Sequence, residues 1–190
     1  MSIPISLPGM HGAAAGFDDP FALLAGCHDR VRRSLALLQR LARHAAAHGA
    51  DEQARAAARD VLRYFDIAAP AHHEDEERHV LPLLRASGDP ALIAAAERIE
   101  RDHEAIRAAW LALRPLLLAL ADAAGPVDTQ SLAAAAQAFD AAHAGHLELE
   151  DGLAFPAAAR AHPAPQEMGR EMAARRGVGP VREPAAPGSR

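Results

Sequence analysis

Histidine and glutamate side chains interrupt the apolar seams that four predicted helices would turn toward a core. Six residues do so: His28, His73, Glu77, His103, His146 and Glu150. His73 precedes Glu77 by one helical turn, and His146 precedes Glu150 by the same spacing, so each pair shares a helix face. A glutamate in a core is costly unless it is paired, hydrogen-bonded or bound to metal. The pattern therefore predicts four imidazoles and two carboxylates that converge on a metal centre.

This donor set suits two adjacent cations better than one. Two neighbouring cations repel each other, and a carboxylate between them reduces that repulsion, so we expect Glu77 and Glu150 to bridge. The four imidazoles would fill terminal positions, which suits iron, zinc, copper or manganese. Six side chains do not saturate two six-coordinate ions. Positions remain for a bridging oxo or hydroxo group and for a small exogenous ligand.

The register of the second helix has an alternative, because the same spacing recurs one residue earlier, between His72 and Glu76. The apolar residues on either side favour His73 and Glu77: Ala69, Val80 and Leu84. In that register His72 and Glu76 would be solvated or would lie behind the ligands.

Two further residues could contribute to the centre. Glu74 could orient a ligand or add a coordination bond, or it could simply belong to a charged surface. His143 lies one turn before His146 on the same seam and could touch metal.

Four long helices are needed to position these residues. Asp-Pro pairs and aspartates predict helix starts, and glycines predict stops. The predicted helices run over about 20–48, 51–87, 89–124 and 128–161. Because the breaks between them are short, the fold class we expect is all-α, an antiparallel up-down-up-down four-helix bundle. The predicted organisation is a flexible arm at 1–16, the bundle at 17–162 and a mostly disordered tail at 163–190.

Composition narrows the class of protein further. The 190 residues suffice for one domain, and the formal net charge of -5 is not the basic footprint that nucleic-acid binding needs. No run approaches the roughly 20 apolar residues of a membrane span. The single cysteine, Cys27, fits a reducing cytoplasm. We therefore expect a cytoplasmic protein without nucleic-acid or membrane partners, whose oligomeric state the sequence leaves open.

Four segments carry a resemblance to a known family, in order along the chain: "CHDRVRRSL", "HHEDEERHVLPLL", "DHEAIRAAW" and "HLELEDGLAFP". Together they resemble the hemerythrin/HHE cation-binding family over about residues 17–161. The resemblance implies two non-haem iron ions per chain in a four-helix bundle. Oxygen-carrying members have a fifth histidine on the third helix, four residues after His103, where this chain has Arg107. We therefore expect an oxygen adduct that decays, and not reversible oxygen carriage.

The leading functional expectation is a non-haem di-iron protein that binds or responds to a small ligand such as dioxygen or nitric oxide. A redox enzyme that reduces nitric oxide or peroxide is one alternative. Iron storage or delivery is another, and a structural bundle with zinc or no metal is a third.

Overall fold

The computed structural model describes residues 16–122, 127–162 and 164–178, and every regular element in these ranges is helical. The α-helices are α1 (Pro20–His48), α2 (Glu52–Arg63), α3 (Ala69–Asp75), α4 (Leu81–Ala86), α5 (Pro90–Asp122), α6 (Thr129–Leu149), α7 (Phe155–Ala161) and α8 (Pro165–Arg175). The all-α prediction is confirmed. Within the same ranges, no helix is both long and apolar enough to cross a membrane.

The helix ends follow the capping chemistry of the sequence. Asp19, Asp51 and Asp128 each accept a hydrogen bond from the backbone amide three residues later, at the starts of α1, α2 and α6. Gly49 and Gly88 have φ values of 70° and 72° beyond the ends of α1 and α4. Residues with a Cβ rarely adopt this left-handed backbone conformation, whereas glycine adopts it and ends the helix at little cost in free energy.

Three π-helical turns interrupt the α-helices of the described ranges: Tyr64–Ala68, Glu76–Val80 and Glu150–Ala154. Each ends two residues before a proline: Pro70, Pro82 and Pro156 respectively. A proline removes one backbone donor, and here the helix widens by one residue ahead of it instead of ending. As a result α2, α3 and α4 form one continuous helical stretch, and α6 continues into α7.

The helices enclose two apolar clusters with the histidines between them. Helix α1 packs against α2 and α6, and α5 also packs against α2 and α6. Along α1, His28 lies between Leu24 of one cluster and Val31 of the other. Along α5, His103 lies in the same way between Ile99 and Ile106. These histidines therefore lie in the interior of the protein, with an apolar cluster on either side along the helices.

The segment after residue 163 is more ordered than the sequence predicts. In place of a mostly disordered tail, Pro165–Arg175 is a helix that contacts α1. Met168 and Met172 lie one turn apart and are both buried, which gives this short helix an apolar face. A Cβ at Gly169 would lie 1.8 Å from the Phe17 carbonyl oxygen, so α8 packs closely against the backbone of Phe17. The predicted arm, apart from Gly16, and residues 179–190 lie outside the described ranges.

Candidate metal centre

Two groups of four buried side chains meet in the interior, and Glu76 belongs to both. The first group contains His28, His72, Glu76 and Glu150; the second contains His73, Glu76, His103 and His146. Within each group the potential ligand atoms all lie within 4.8 Å of one another. Such spacing allows one ion to contact all four side chains of a group.

Glu76 directs one carboxylate oxygen toward each group. Its Oε1 lies 3.1 Å from His72 Nε2 and 3.8 Å from His28 Nε2. Its Oε2 lies 3.3 Å from His103 Nε2. A carboxylate in this position can bridge two cations.

Glu150 also contacts both groups. Its Oε2 lies 3.1 Å from His28 Nε2 and 3.3 Å from His146 Nε2, and its Oε1 lies 3.8 Å from His103 Nε2. The two glutamates therefore both lie between the two sets of imidazoles.

Many of these atoms are buried without a hydrogen-bond partner. Among the described residues they include Nε2 of four imidazoles and both oxygens of two carboxylates: His28, His72, His103, His146, Glu76 and Glu150. Buried polar atoms almost always have a hydrogen-bond partner. A cluster of unpaired polar atoms at one place therefore requires an explanation. Imidazole nitrogens and carboxylate oxygens are ligands for iron, zinc and manganese, and the arrangement fits such ions.

The charges of the metal-free cluster balance internally. Burial alone would lower the pKa of His28 and His103, but the nearby carboxylates of Glu150 and Glu76 raise both to about 10. Burial and the charge of Glu150 would raise the pKa of Glu76, yet the surrounding histidines lower it to about 2. Without metal, protonated imidazoles thus neutralise the carboxylates, and a metal ion must displace those protons.

The structure brings Glu76, and not the expected Glu77, together with the other predicted donors. Glu76 is fully buried, whereas the Glu77 side chain is 40% exposed and lies outside both groups. The reason is the π turn at Glu76–Val80, in which the Leu81 amide bonds to the Glu76 carbonyl and not to that of Glu77. An uninterrupted α-helical spacing traced back from Leu84 is therefore off by one residue.

The sequence contains a signal that would have resolved this register. Glu76 and Glu150 each stand six residues before a proline, Pro82 and Pro156, and each begins a π turn. When the two segments are aligned on Pro82 and Pro156, the counterpart of Glu150 is Glu76 and not Glu77.

The structure also brings one more imidazole into the groups than expected, because His72 and His73 both belong to them. The first group takes His72 and the second takes His73, so five imidazoles converge and not four. His143 is buried but belongs to neither group, and its Nδ1 pairs with the Phe139 carbonyl at 2.8 Å. Glu74 is partly exposed and pairs with Arg78 at 2.7 Å.

A cavity of about 150 Å³ extends from the surface to His73. Its walls are mainly apolar or aromatic: Phe65, Ala69, Ile106, Trp110 and Phe139. Charged side chains of Glu74, Glu77 and Arg107 also line it. A small uncharged molecule would meet little polar surface on its way to the imidazole.

The family follows from comparison with known proteins. The model of the hemerythrin HHE cation binding domain matches residues 19–173, and the chain belongs to this family. The predicted resemblance is confirmed. The chain is also similar to an uncharacterized protein of Haemophilus influenzae (strain Rd), with 30% identity over 167 residues, which covers 86% of this chain and 94% of that protein. Family and geometry agree on a metal-binding helical domain with His and Glu donors.

Proposed function

We propose that this protein holds two iron ions and binds a small diatomic ligand, dioxygen or nitric oxide, at one of them. The side chains that would hold the metal are His28, His72, His73, Glu76, His103, His146 and Glu150. The observation that carries the proposal is the pair of buried four-residue groups that share Glu76. Iron would supply reversible one-electron chemistry and an exchangeable coordination position.

The two metal positions would have unequal numbers of imidazole ligands. The first group offers two imidazoles and the second offers three, while both glutamates contact imidazoles of both groups. By the number of imidazoles the exchangeable position would belong to the ion beside His28 and His72, whereas the cavity reaches the interior at His73 of the other group. The His28 ring stacks on Phe155 with centroids 5.0 Å apart, which helps to exclude water from the first group.

The structure removes the reason for expecting an oxygen adduct that decays. It depended on Arg107 in place of a fifth histidine, and the neighbouring His72 and His73 restore five imidazoles. The ligand count therefore no longer argues against reversible binding.

We infer that the helices that carry these ligands form the antiparallel up-down-up-down bundle. In support, α1 and α5 each pack against both α2 and α6. The residues between α1 and α2, and between α4 and α5, are also too few to cross the length of the domain.

A titration of the reduced, iron-loaded protein with nitric oxide under anaerobic conditions tests the function. We expect a saturating change in the visible absorption spectrum. The His72→Ala variant should lose or strongly weaken this response, because one ion loses half of its imidazoles. The control is His143→Ala, another buried histidine, which should respond like the wild type. An iron-loaded wild type without any spectral response would contradict the proposal.

A further inference from the structure

Each proposed bridging glutamate is followed directly by a second carboxylate that faces a histidine of another helix. Glu77 follows Glu76, and Asp151 follows Glu150. Both are the second residues of π turns, where successive side chains are separated by a smaller rotation than in an α-helix. Consecutive carboxylates can therefore reach opposite nitrogens of one imidazole.

The first such arrangement surrounds His28. Its Nε2 lies 3.1 Å from Glu150 Oε2, and its Nδ1 lies 2.7 Å from Asp151 Oδ1. The other oxygen of Asp151 accepts a hydrogen bond of 2.5 Å from Arg32. Arg32 comes four residues after His28 and so lies on the same face of α1.

The second arrangement repeats the first around His103. Its Nε2 lies 3.3 Å from Glu76 Oε2, and its Nδ1 lies 2.9 Å from Glu77 Oε1. Glu77 in turn accepts a hydrogen bond of 3.2 Å from Arg107, which comes four residues after His103. The two arrangements use different helices but the same order of groups.

We propose that Glu77 with Arg107, and Asp151 with Arg32, are positioning pairs that hold His103 and His28 ready to bind metal. The inference rests on the proposed di-iron function. A carboxylate that accepts a hydrogen bond from Nδ1–H keeps the proton on Nδ1, which fixes the tautomer and leaves the Nε2 lone pair free for the metal. Glu77 and Asp151 are 40% and 33% exposed, so each needs its arginine to keep it from turning into solvent.

The proposal gives Arg107 a role at the position where the oxygen-carrying relatives were expected to have a histidine. Its guanidinium acts through Glu77 on His103 and does not touch the metal groups. His146 lacks an equivalent pair, because Asp102 Oδ2 lies 3.9 Å from its Nδ1, beyond hydrogen-bond distance.

The test is the rate at which the iron-loaded protein releases iron to an excess of a ferrous chelator. Loss of a carboxylate that orients a metal-binding histidine weakens metal binding roughly 10- to 100-fold. We expect Glu77→Ala and Asp151→Ala to release iron faster by a factor in this range. Should Glu77→Ala fail to fold, Glu77→Gln takes its place. The matched control is Glu74→Ala, which removes a carboxylate paired with Arg78 on the same helical stretch.

A double-mutant cycle separates positioning from a general structural effect. Arg107→Ala should speed release in the wild type but add nothing once Glu77 is already alanine, because the arginine acts through that carboxylate. Equal effects of Arg107→Ala in both backgrounds, or wild-type release rates in Glu77→Ala and Asp151→Ala, would overturn the inference. A wild type that takes up no iron would overturn the proposed function itself, and the two failures are therefore distinguishable.

Discussion

Glu76 and Glu77 are consecutive carboxylates with different surroundings, because Glu76 is fully buried among histidines and the Glu77 side chain is 40% exposed. His28, His103, His146 and Glu150 were predicted from apolar seams that remain α-helical up to these residues, and the structure brings all four together. The apolar seam favours Glu77 over Glu76 only if the helix beyond it is a continuous α-helix. The π turn that moves the seam depends on a backbone donor missing at Pro82, an effect that side-chain periodicity does not report.

The register has a direct test in metal content. Glu76→Ala removes the carboxylate that faces both groups, so the variant should lose at least one of the two ions that we expect in the wild type. Glu77→Ala should keep both ions after loading and differ only in their rate of release. Elemental analysis of iron per chain measures this, with the exposed Glu148→Ala as control. The opposite order, with metal lost from Glu77→Ala and retained by Glu76→Ala, would restore the original register.

At the scale of elements, capping residues predict where the helices begin and end, whereas α8 lies in a segment that the sequence predicts to be mostly disordered. The starts at Asp19-Pro20 and Asp51 and the stop at Gly49 appear as expected, because each signal is local in the chain. The order of α8 depends on tertiary contacts. Its two buried methionines need the surface of other helices, and the surrounding glycine and proline content masked their spacing.

The last residue of α8 and the residue after it neutralise a buried charge beside the candidate metal centre. Asp75, which directly precedes Glu76 and is fully buried, accepts hydrogen bonds from Arg175 Nε at 2.9 Å and from Arg176 at 2.5 Å. Removal of one side of a buried ion pair costs about 3–5 kcal/mol, because the other charge is left uncompensated.

We therefore expect the double variant Arg175→Met, Arg176→Met to lose about 3 kcal/mol or more of unfolding free energy. Urea denaturation of the metal-free protein measures this loss. The exposed Arg170→Met, on the same helix, should change the free energy by no more than about 0.5 kcal/mol. Equal stabilities of the double variant and this control would show that α8 does not hold Asp75.

At the scale of the whole molecule, metal and protons compete for the same buried groups. In the metal-free protein burial lowers the pKa values of His28 and His103, but the carboxylates of Glu150 and Glu76 outweigh burial and raise both to about 10. A raised histidine pKa stabilises the fold fully below the unfolded value of about 6.5, and this contribution declines as pH rises toward 10. Bound metal requires neutral imidazoles, so its own affinity rises over the same range.

The difference in melting temperature between iron-loaded and metal-free protein should consequently grow from pH 6.5 to pH 8.5. The metal-free protein should remain helical throughout, because two apolar clusters pack its helices without the ions. Thermal melts followed by circular dichroism under anaerobic conditions check both statements. A difference that is constant or shrinks with rising pH would show that metal does not displace protons from this cluster.

The iron content of the wild-type protein is the most direct measure of whether the protein holds a dinuclear centre. The protein should be loaded anaerobically with ferrous iron, freed of loosely bound metal and analysed for iron and protein concentration. Two groups of ligands that share Glu76 predict about two iron ions per chain. A value of one or none after full loading would contradict the claim that these side chains hold an iron pair.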